Sequence, residues 1–323
     1  MMQSGLIGVG AGAAAALLFA SVTSGSLLSV ALFYLAPLPL LIAGLGWSHW
    51  AALIGALTAA LALGLVFGTV FLVTFLAGAG LPAWWLGYLT MLARPAGNGG
   101  GAQLEWYPPG RLVVWAAILA TLIVVAAIPN FGTDAESFHA GLRKAVTKLL
   151  QVEAFSPAAA PLSVPGQSNS GRLIDILVAS IPAAGAVLAT VTSLLNLWLA
   201  GRIVKFSGRL KRPWPQLADM TFPRVLTAAL AIAVALSLVG GLVGMIAVVL
   251  SASLLMAYGV LGFAVLHTIT KGMTSRGFLL GTAYAAVLVF GWPVLLLCLL
   301  GLIEAAIDLR ARLARKRGPP APT

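Results

Sequence analysis

Residues 1–93 read MMQSGLIGVGAGAAAALLFASVTSGSLLSVALFYLAPLPLLIAGLGWSHWAALIGALTAALALGLVFGTVFLVTFLAGAGLPAWWLGYLTMLA. This stretch contains no Asp, Glu, Lys or Arg, and the first charged residue of the chain is Arg94. A helix needs about 20 mostly apolar residues to cross the hydrocarbon core of a bilayer. The stretch is therefore long enough for three or four crossings, and it is unsuited to the surface of a soluble domain.

The composition of the whole chain indicates the same class of protein. Of the 323 residues, 60% are hydrophobic and 8% are charged, whereas soluble domains carry about 25% charged residues. The formal net charge is +11, but the basic residues are clustered between apolar runs. We interpret these clusters as topology determinants and contacts to anionic lipid headgroups, so no nucleic-acid partner is expected.

Nine apolar segments follow one another, at residues 5–23, 26–46, 50–79, 81–93, 111–129, 172–200, 223–240, 243–270 and 278–303. They lack the alternation of polar and apolar residues that is typical of membrane β-barrels. The predicted fold is an all-α, polytopic transmembrane helix bundle of eight or nine membrane segments. Its predicted parts are N-terminal membrane helices (1–129), an extramembrane region (130–171), C-terminal membrane helices (172–309) and a basic disordered tail (310–323).

The extramembrane region is predicted to hold one amphipathic helix, followed by a Pro-rich linker. Thr133-Asp134-Ala135-Glu136 has the capping-box pattern. Apolar residues then recur at helical spacing from Phe138 to Leu150, opposite Arg143, Lys144 and Lys148. Such a helix is too polar to span a bilayer and is expected to lie in the membrane surface or over the bundle.

The second apolar segment is interrupted at Leu35-Ala36-Pro37-Leu38-Pro39-Leu40. Each proline lacks a backbone donor and frees a carbonyl group of the preceding turn. At membrane depth such groups must be satisfied by protein or by a water-filled cavity, and broken helices often line binding sites in transporters. The residues interpreted either as the lining of a ligand pocket or as bridges between helices are Tyr34, Pro37, Pro39, Asn196 and His267.

The chain offers few groups for catalysis. Its three histidines are far apart in sequence, with no HExxH pattern, and all eight acidic residues lie in loops or near helix ends. No nucleotide-binding motif is present, so ATP hydrolysis would have to come from a partner. We therefore expect a protein that is not an enzyme, with no catalytic residue, metal site or cofactor.

A strongly basic connector follows the segment at 172–200. The positive-inside rule places both this connector and the tail at 310–317 in the cytoplasm, which requires an even number of crossings between them. Three apolar segments separate them, so either one is re-entrant, the Pro293 segment being a candidate, or one cluster breaks the rule. The residues predicted to face lipid or a partner are Arg202, Lys205, Arg209, Lys211 and Arg212.

Several motifs resemble the YybS-like family of bacterial multi-pass membrane proteins. They are Ala200-Gly201-Arg202 to Lys211-Arg212, Phe222-Pro223, His267 before a basic loop, Leu300-Gly301-Leu302-Ile303 with Asp308-Leu309-Arg310, and Leu38-Pro39-Leu40. That family looks distantly similar to the substrate-binding membrane subunits of energy-coupling-factor transporters, small helical bundles that capture a vitamin or related molecule and borrow partner ATPases. The resemblance implies a multi-pass protein of the bacterial cytoplasmic membrane with a partner membrane or ATPase subunit. The extra C-terminal helices and the 130–171 insertion depart from those subunits.

Two functions remain open from the sequence. The first is a substrate-binding or permease-like transport component for a small, largely neutral ligand. The second is a non-transporting membrane scaffold or envelope-biogenesis factor, which would recruit lipid or protein through the surface helix at 133–154 and the basic connector.

Overall fold

Helices make up almost all of the regular structure, since a segment in hydrocarbon must satisfy its own backbone hydrogen bonds. The computed structural model describes residues 2–96, 103–132, 134–154, 167–217 and 220–317. The first helices are α1 (Met2–Ala20), α2 (Leu27–Tyr34), α3 (Pro37–Gly46), α4 (His49–Phe67), α5 (Thr69–Phe75), α6 (Leu81–Met91) and α7 (Pro109–Ala127). Those that follow are α8 (Ala135–Ala154), α9 (Gln167–Phe206), α10 (Val225–Leu236), α11 (Gly241–Ile269), α12 (Arg276–Phe290), α13 (Val294–Ile307) and α14 (Leu309–Arg317). Strands β1 (Ala93–Ala96) and β2 (Gln103–Trp106) pair antiparallel between α6 and α7.

Seven helical stretches are long and apolar enough to cross a membrane within the described residues. They are Met2–Ser24, Leu27–Gly46, His49–Phe67, Thr69–Met91, Pro109–Asn130, Gly171–Phe206 and Gly241–Ile269. Helices α10, α12 and α13 are apolar but shorter. The predicted fold class, an all-α polytopic helix bundle, is confirmed.

One predicted boundary between membrane segments is wrong. The apolar pattern predicts a boundary between two segments near residue 80, but the chain stays helical there through a π-helical turn at Leu76–Gly80. The break lies instead at Gly68, whose φ of 93° ends α4 and begins α5. Glycine adopts positive φ at little steric cost, so it supplies the break without any proline.

Two contacts bring α11 and α13 backbone to backbone. A Cβ atom on Gly262 would overlap the Leu297 carbonyl, and one on Gly301 would overlap the Tyr258 carbonyl. Small residues permit such close approach in lipid, where packing rather than the hydrophobic effect drives helix association. Glycine is therefore required at both positions by the contact itself.

The hairpin, the connector after α9 and the C-terminal helix meet at one end of the bundle. Arg212 donates hydrogen bonds to the carbonyls of Thr90 (2.9 Å) and Tyr107 (2.8 Å). Arg310 donates a 2.7 Å hydrogen bond to the carbonyl of Met220. We call this the basic end, formed by the described residues 88–96, 103–111, 202–217, 220–224, 271–276 and 304–317. These ranges hold fifteen of the 19 Lys and Arg residues but only three of the eight acidic residues.

Helix α11 returns to the basic end. Thr121 of α7 bonds to Ser253 of α11 at 3.2 Å, while Tyr258, further along α11, contacts the ring of Phe222. Gly110, at the start of α7, packs against Thr221, the neighbour of Phe222 in the chain. Tyr258 is therefore level with the start of α7, whereas Ser253 is level with Thr121. Helices α7 and α11 thus run in opposite directions. Helix α7 starts at the basic end, so α11 ends there.

Helices α12 and α13 form a short pair, which we call the re-entrant pair. Helices α12 and α13 have 15 and 14 residues, about 22 Å each, so neither spans a hydrocarbon core of about 30 Å. A turn at Gly291, with φ of 71°, and Pro293 separates them. The pair begins where α11 ends and finishes where Arg310 meets Met220, so it enters and leaves at the basic end.

Helix α8 is amphipathic, as the sequence pattern predicts. Phe138, Leu142 and Val146 are buried against the ends of α7 and α9, and Arg143 pairs with Asp175 at 2.7 Å. The cap is formed by Asp134 and Ser137, each backbone N–H bonding to the other's side chain. Thr133, the first residue of the predicted capping box, lies outside the described residues.

The ends of the predicted regions shift in two places. Helix α9 begins at Gln167, inside the range predicted as linker, and residues 155–166 lie outside the described residues. Helix α14 continues to Arg317, although the tail from 310 was expected to be disordered. Leu, Ala, Arg and Lys dominate α14, and these residues favour helix. Residues 318–323 lie outside the described part.

Candidate ligand site between the helices

A cavity of about 370 Å³ lies between α1, α2, α7 and α9. Its volume falls within the range of small-molecule sites, about 300–1,000 Å³. Phe19, Phe33, Phe131 and Phe138 contribute aromatic walls, and no Asp, Glu, Lys, Arg or His of the described chain lines it. The cavity is thus an apolar compartment without fixed charge.

The proline break of the second span forms one wall. Tyr34, the last residue of α2, and Pro37, the first of α3, both line the cavity. The Leu38 N–H bonds to the Leu35 carbonyl at 2.9 Å, which leaves the Tyr34 carbonyl without its helical donor. The Asn196 side-chain amide of α9 donates to that carbonyl at 2.8 Å.

Asn196 therefore bridges the broken helix to α9. It is 1% exposed, and its amide also donates to the Thr192 carbonyl at 2.8 Å. Thr192 and Ser193, one turn earlier, line the cavity. A freed carbonyl in hydrocarbon is costly, so this amide stabilises the break that shapes the cavity.

Two further irregular helices reach the same cavity. Gly78 and Ala79, within the π-helical turn of Leu76–Gly80, line it beside Pro182, which lies inside α9. Single π turns often occur at functional sites. Irregular backbone at membrane depth is tolerated where it is buried in protein or lines a cavity.

The cavity has a few hydroxyl groups. The Thr192 hydroxyl bonds to the carbonyls of Leu188 (2.8 Å) and Ala189 (3.2 Å) of its own helix. The hydroxyls of Thr74 and Ser193 form no hydrogen bond among the described residues, and both residues line the cavity. The polar groups open to a ligand are thus hydroxyls, which match a neutral molecule.

Helix α8 covers the cavity at the end of the bundle opposite the basic end. Phe138 and Leu142 project from α8 into the lining, and the Arg143–Asp175 ion pair joins α8 to α9. Hydrogen bonds from the Ser137 backbone and hydroxyl hold the pKa of the Asp134 carboxyl below its ordinary value, which keeps the capping carboxylate ionised.

The structure separates the five residues predicted to line a ligand pocket or to bridge helices. Tyr34 and Pro37 line the cavity, and Asn196 bonds beside it, whereas Pro39 does not line it. His267 lies at the re-entrant pair instead, where its Nε2 is 2.8 Å from the Tyr284 hydroxyl. Among the described residues no cluster of His, Cys, Asp and Glu is placed to hold a metal ion.

The basic residues of the connector after α9 also differ in their surroundings. The exposed side chains of Arg202 and Lys205 lie against the ring of Trp214, and Arg209 lies 4.5 Å from the ring centre of Trp47. Lys211 borders a shallow pocket at the basic end with His49 and Trp106.

Arg212 departs from the expectation that it faces lipid or a partner. It is 7% exposed, because its guanidinium turns inward to the two carbonyls of the hairpin region. Burial lowers the pKa of Arg212 from its ordinary value, yet an arginine remains protonated. Arg212 is thus part of the fold.

One buried ion pair was missed in the sequence. The Glu304 carboxylate accepts hydrogen bonds from the Arg310 guanidinium at 2.7 Å and from the Arg310 backbone at 3.0 Å. A spacing of six residues is not a helical contact, and the turn at Asp308, with φ of 50°, brings the two together. Only the presence of Glu304 in an apolar run signalled a partner.

Comparison with known proteins covers nearly the whole bundle. Residues 13–305 match the model of the family described as predicted membrane protein DUF2232. No curated protein and no solved structure matches. The matched range includes the cavity, the Asn196 bridge and all of the re-entrant pair except its last two residues. A multi-pass helical membrane fold and a match over most of its length show that the chain belongs to the DUF2232 family of predicted membrane proteins.

Proposed function

We propose that this protein is the substrate-binding or permease-like component of a membrane transport system, and that its cavity holds a small, largely neutral ligand. The observation that carries the proposal is the convergence of three helix irregularities on one uncharged cavity. These are the α2–α3 break, the π-helical turn and Pro182. Transporters build their substrate sites from such interrupted helices.

The cavity lining defines the class of ligand. A charged ligand would lose its hydration without meeting an opposite charge, which is costly. Aromatic and aliphatic walls with hydroxyls at Thr74 and Ser193 suit a mainly apolar molecule that carries one or two hydrogen-bonding groups.

The charge distribution supports an orientation in the bacterial cytoplasmic membrane. By the positive-inside rule the basic end faces the cytoplasm, so α8 and the cavity lie towards the outer face. The chain has no nucleotide-binding motif. Energy would come from a partner ATPase subunit at the basic end, as the resemblance to energy-coupling-factor subunits implies.

Cavity-filling substitutions test the proposal. A Cβ on Gly185 would meet only the Val124 side chain at 3.9 Å, and one on Gly78 would meet nothing within 4 Å. We expect Gly185→Phe and Gly78→Phe to fold and to lose any small molecule that mass spectrometry detects in solvent extracts of the purified wild-type protein. Gly10→Phe is the matched control, because Gly10 is exposed on α1 with nothing within 4 Å.

The outcomes separate clearly. The proposal would be contradicted if both cavity variants retained the molecule as well as wild-type protein does. It would also be contradicted if extracts of wild-type protein and of Gly10→Phe contained no molecule that the cavity variants lack. Loss from the cavity variants with retention by Gly10→Phe supports it.

A non-transporting scaffold is the second candidate function. It is favoured by the re-entrant pair, where α12 contributes no buried residue and Phe278, Leu288, Phe290 and Trp292 are exposed. Under this function, replacing Leu288 and Phe290 by Ala abolishes co-purification of a protein partner and leaves the extractable ligand unchanged. Under the transport function, the cavity variants have the larger effect.

A further inference from the structure

One face of α9 is exposed along its last four turns. Its residues are Val191, Leu195, Trp198, Arg202 and Lys205, spaced four, three, four and three apart, which places them on one side of a helix. The first three side chains are apolar and the last two are basic. The opposite side of α9, at Thr190, Asn196 and Val204, is buried.

The two cations are held by aromatic rings rather than by carboxylates. The Arg202 guanidinium lies 5.6 Å from the ring centre of Trp214 and 5.8 Å from that of Trp198, and Lys205 Nζ lies 5.2 Å from Trp214. The ion pairs among the described residues do not involve either cation. Asp219 lies outside the described residues. Ring contacts orient the cations without neutralising them.

We infer that this face of α9 binds one anionic phospholipid. Its phosphate would lie at Arg202 and Lys205, and an acyl chain would follow Trp198, Leu195 and Val191. The distance from Val191 to Lys205 is about 21 Å at 1.5 Å per residue, which matches the hydrocarbon half-thickness of about 15 Å plus the headgroup layer.

The apolar part of the face selects a lipid over a soluble anion. A free phosphate or an acidic peptide would use the two cations alone and leave the stripe from Val191 to Trp198 without a role. Phe206, which is 96% exposed next to Lys205, extends the same apolar surface at the headgroup level. Tryptophan and basic residues at membrane interfaces commonly contact lipid headgroups.

The test is lipid selection by the whole protein in nanodiscs of phosphatidylcholine with a minor fraction of phosphatidylglycerol. Native mass spectrometry then measures which lipids stay bound. We expect wild-type protein to retain phosphatidylglycerol preferentially. We expect Arg202→Gln/Lys205→Gln to lose about 25-fold of that preference, since each basic residue near an anionic surface contributes about 1 kcal/mol and 1.4 kcal/mol is tenfold.

The matched control is Lys144→Gln/Lys148→Gln, which removes two exposed charges from α8 at the opposite end. It is expected to leave the preference unchanged, and an equal loss in both double variants would overturn the site in favour of a general effect of net charge. Leu195→Ser tests the acyl chain and should weaken lipid retention. Unchanged retention in this variant, together with displacement of the lipid by inorganic phosphate, would show a free-anion site instead.

The wild-type measurement keeps the inference testable if a variant does not fold. Absence of any preference for phosphatidylglycerol in the unmodified protein would overturn it outright. This outcome is independent of the cavity, which is tested by Gly185→Phe and lies between other faces of the helices.

Discussion

Asn196→Ala should destabilise the bundle through the broken helix rather than through α9 itself. The substitution removes the 2.8 Å hydrogen bond to the Tyr34 carbonyl, which the proline break has already deprived of its helical donor. Hydrogen bonds between membrane helices contribute on average about 0.6 and at most about 1.7 kcal/mol, and an unpaired buried carbonyl favours the upper end. Asn196 Oδ1 has no partner in the described structure, so removing this buried polar atom offsets part of the loss of stability. The expected loss is about 1.5 kcal/mol, roughly a tenfold change in the folded-to-unfolded ratio.

The assay is reversible unfolding in mixed detergent micelles, followed by far-ultraviolet circular dichroism. Thr190→Val is the matched control, because Thr190 is 0% exposed on the same helix and its hydroxyl bonds only to the Ala186 carbonyl one turn back. We expect little change in stability for the control. Equal losses in the two variants would refute the bridge, since they would show a general cost of altering the buried face of α9.

Three further predictions concern the ends of the bundle. Arg212→Met should lower the free energy of unfolding by about 2–4 kcal/mol in the same assay, because it removes the donor of the hydrogen bonds to the Thr90 and Tyr107 carbonyls. Glu304→Ala should cost about 3–5 kcal/mol, since it leaves Arg310 buried without its carboxylate, whereas Glu105→Ala, at an exposed pair, should not change the unfolding midpoint measurably. Helix α8 should fray in acid: the folded-state pKa of Asp134 is lowered, so its contribution is complete above the unfolded pKa of about 3.9 and is lost as pH falls through the lower folded value. This prediction is checked by measuring the helicity of wild-type protein and of Asp134→Ala from about pH 5 to about pH 2. Identical titrations of the two proteins would contradict it.

Composition predicts the membrane class and most of the helices, because a long uncharged stretch is suited to the hydrocarbon of a membrane and not to water. Breaks within helices were less readable. The prolines at 37 and 39 predicted the α2–α3 break, but Gly68 gives no such signal, since many membrane glycines serve only packing. The π-helical turn at Leu76–Gly80 depends on how neighbouring helices pack, which local sequence does not encode.

Side-chain roles depended most on tertiary structure. Asn196 and Tyr34 are 162 residues apart, and nothing local distinguishes Asn196 as a bridge from His267, which contacts Tyr284 elsewhere. Arg212 resembles its basic neighbours in sequence, but its side chain is buried because it donates hydrogen bonds to the carbonyls of Thr90 and Tyr107. Pro182 is visible in the sequence as a proline within a helical run, and it lines the cavity.

The concentration of charge at the basic end also limits how copies of this protein can associate. Segments at that end hold fifteen of the 19 basic residues and three of the eight acidic ones, so inverting the chain would carry that excess through hydrocarbon. We therefore expect every copy to be inserted the same way up, without dual topology. We then expect any homo-oligomer to have its rotation axis along the membrane normal. Two-fold axes lying in the bilayer plane, and with them dihedral assemblies, are not expected.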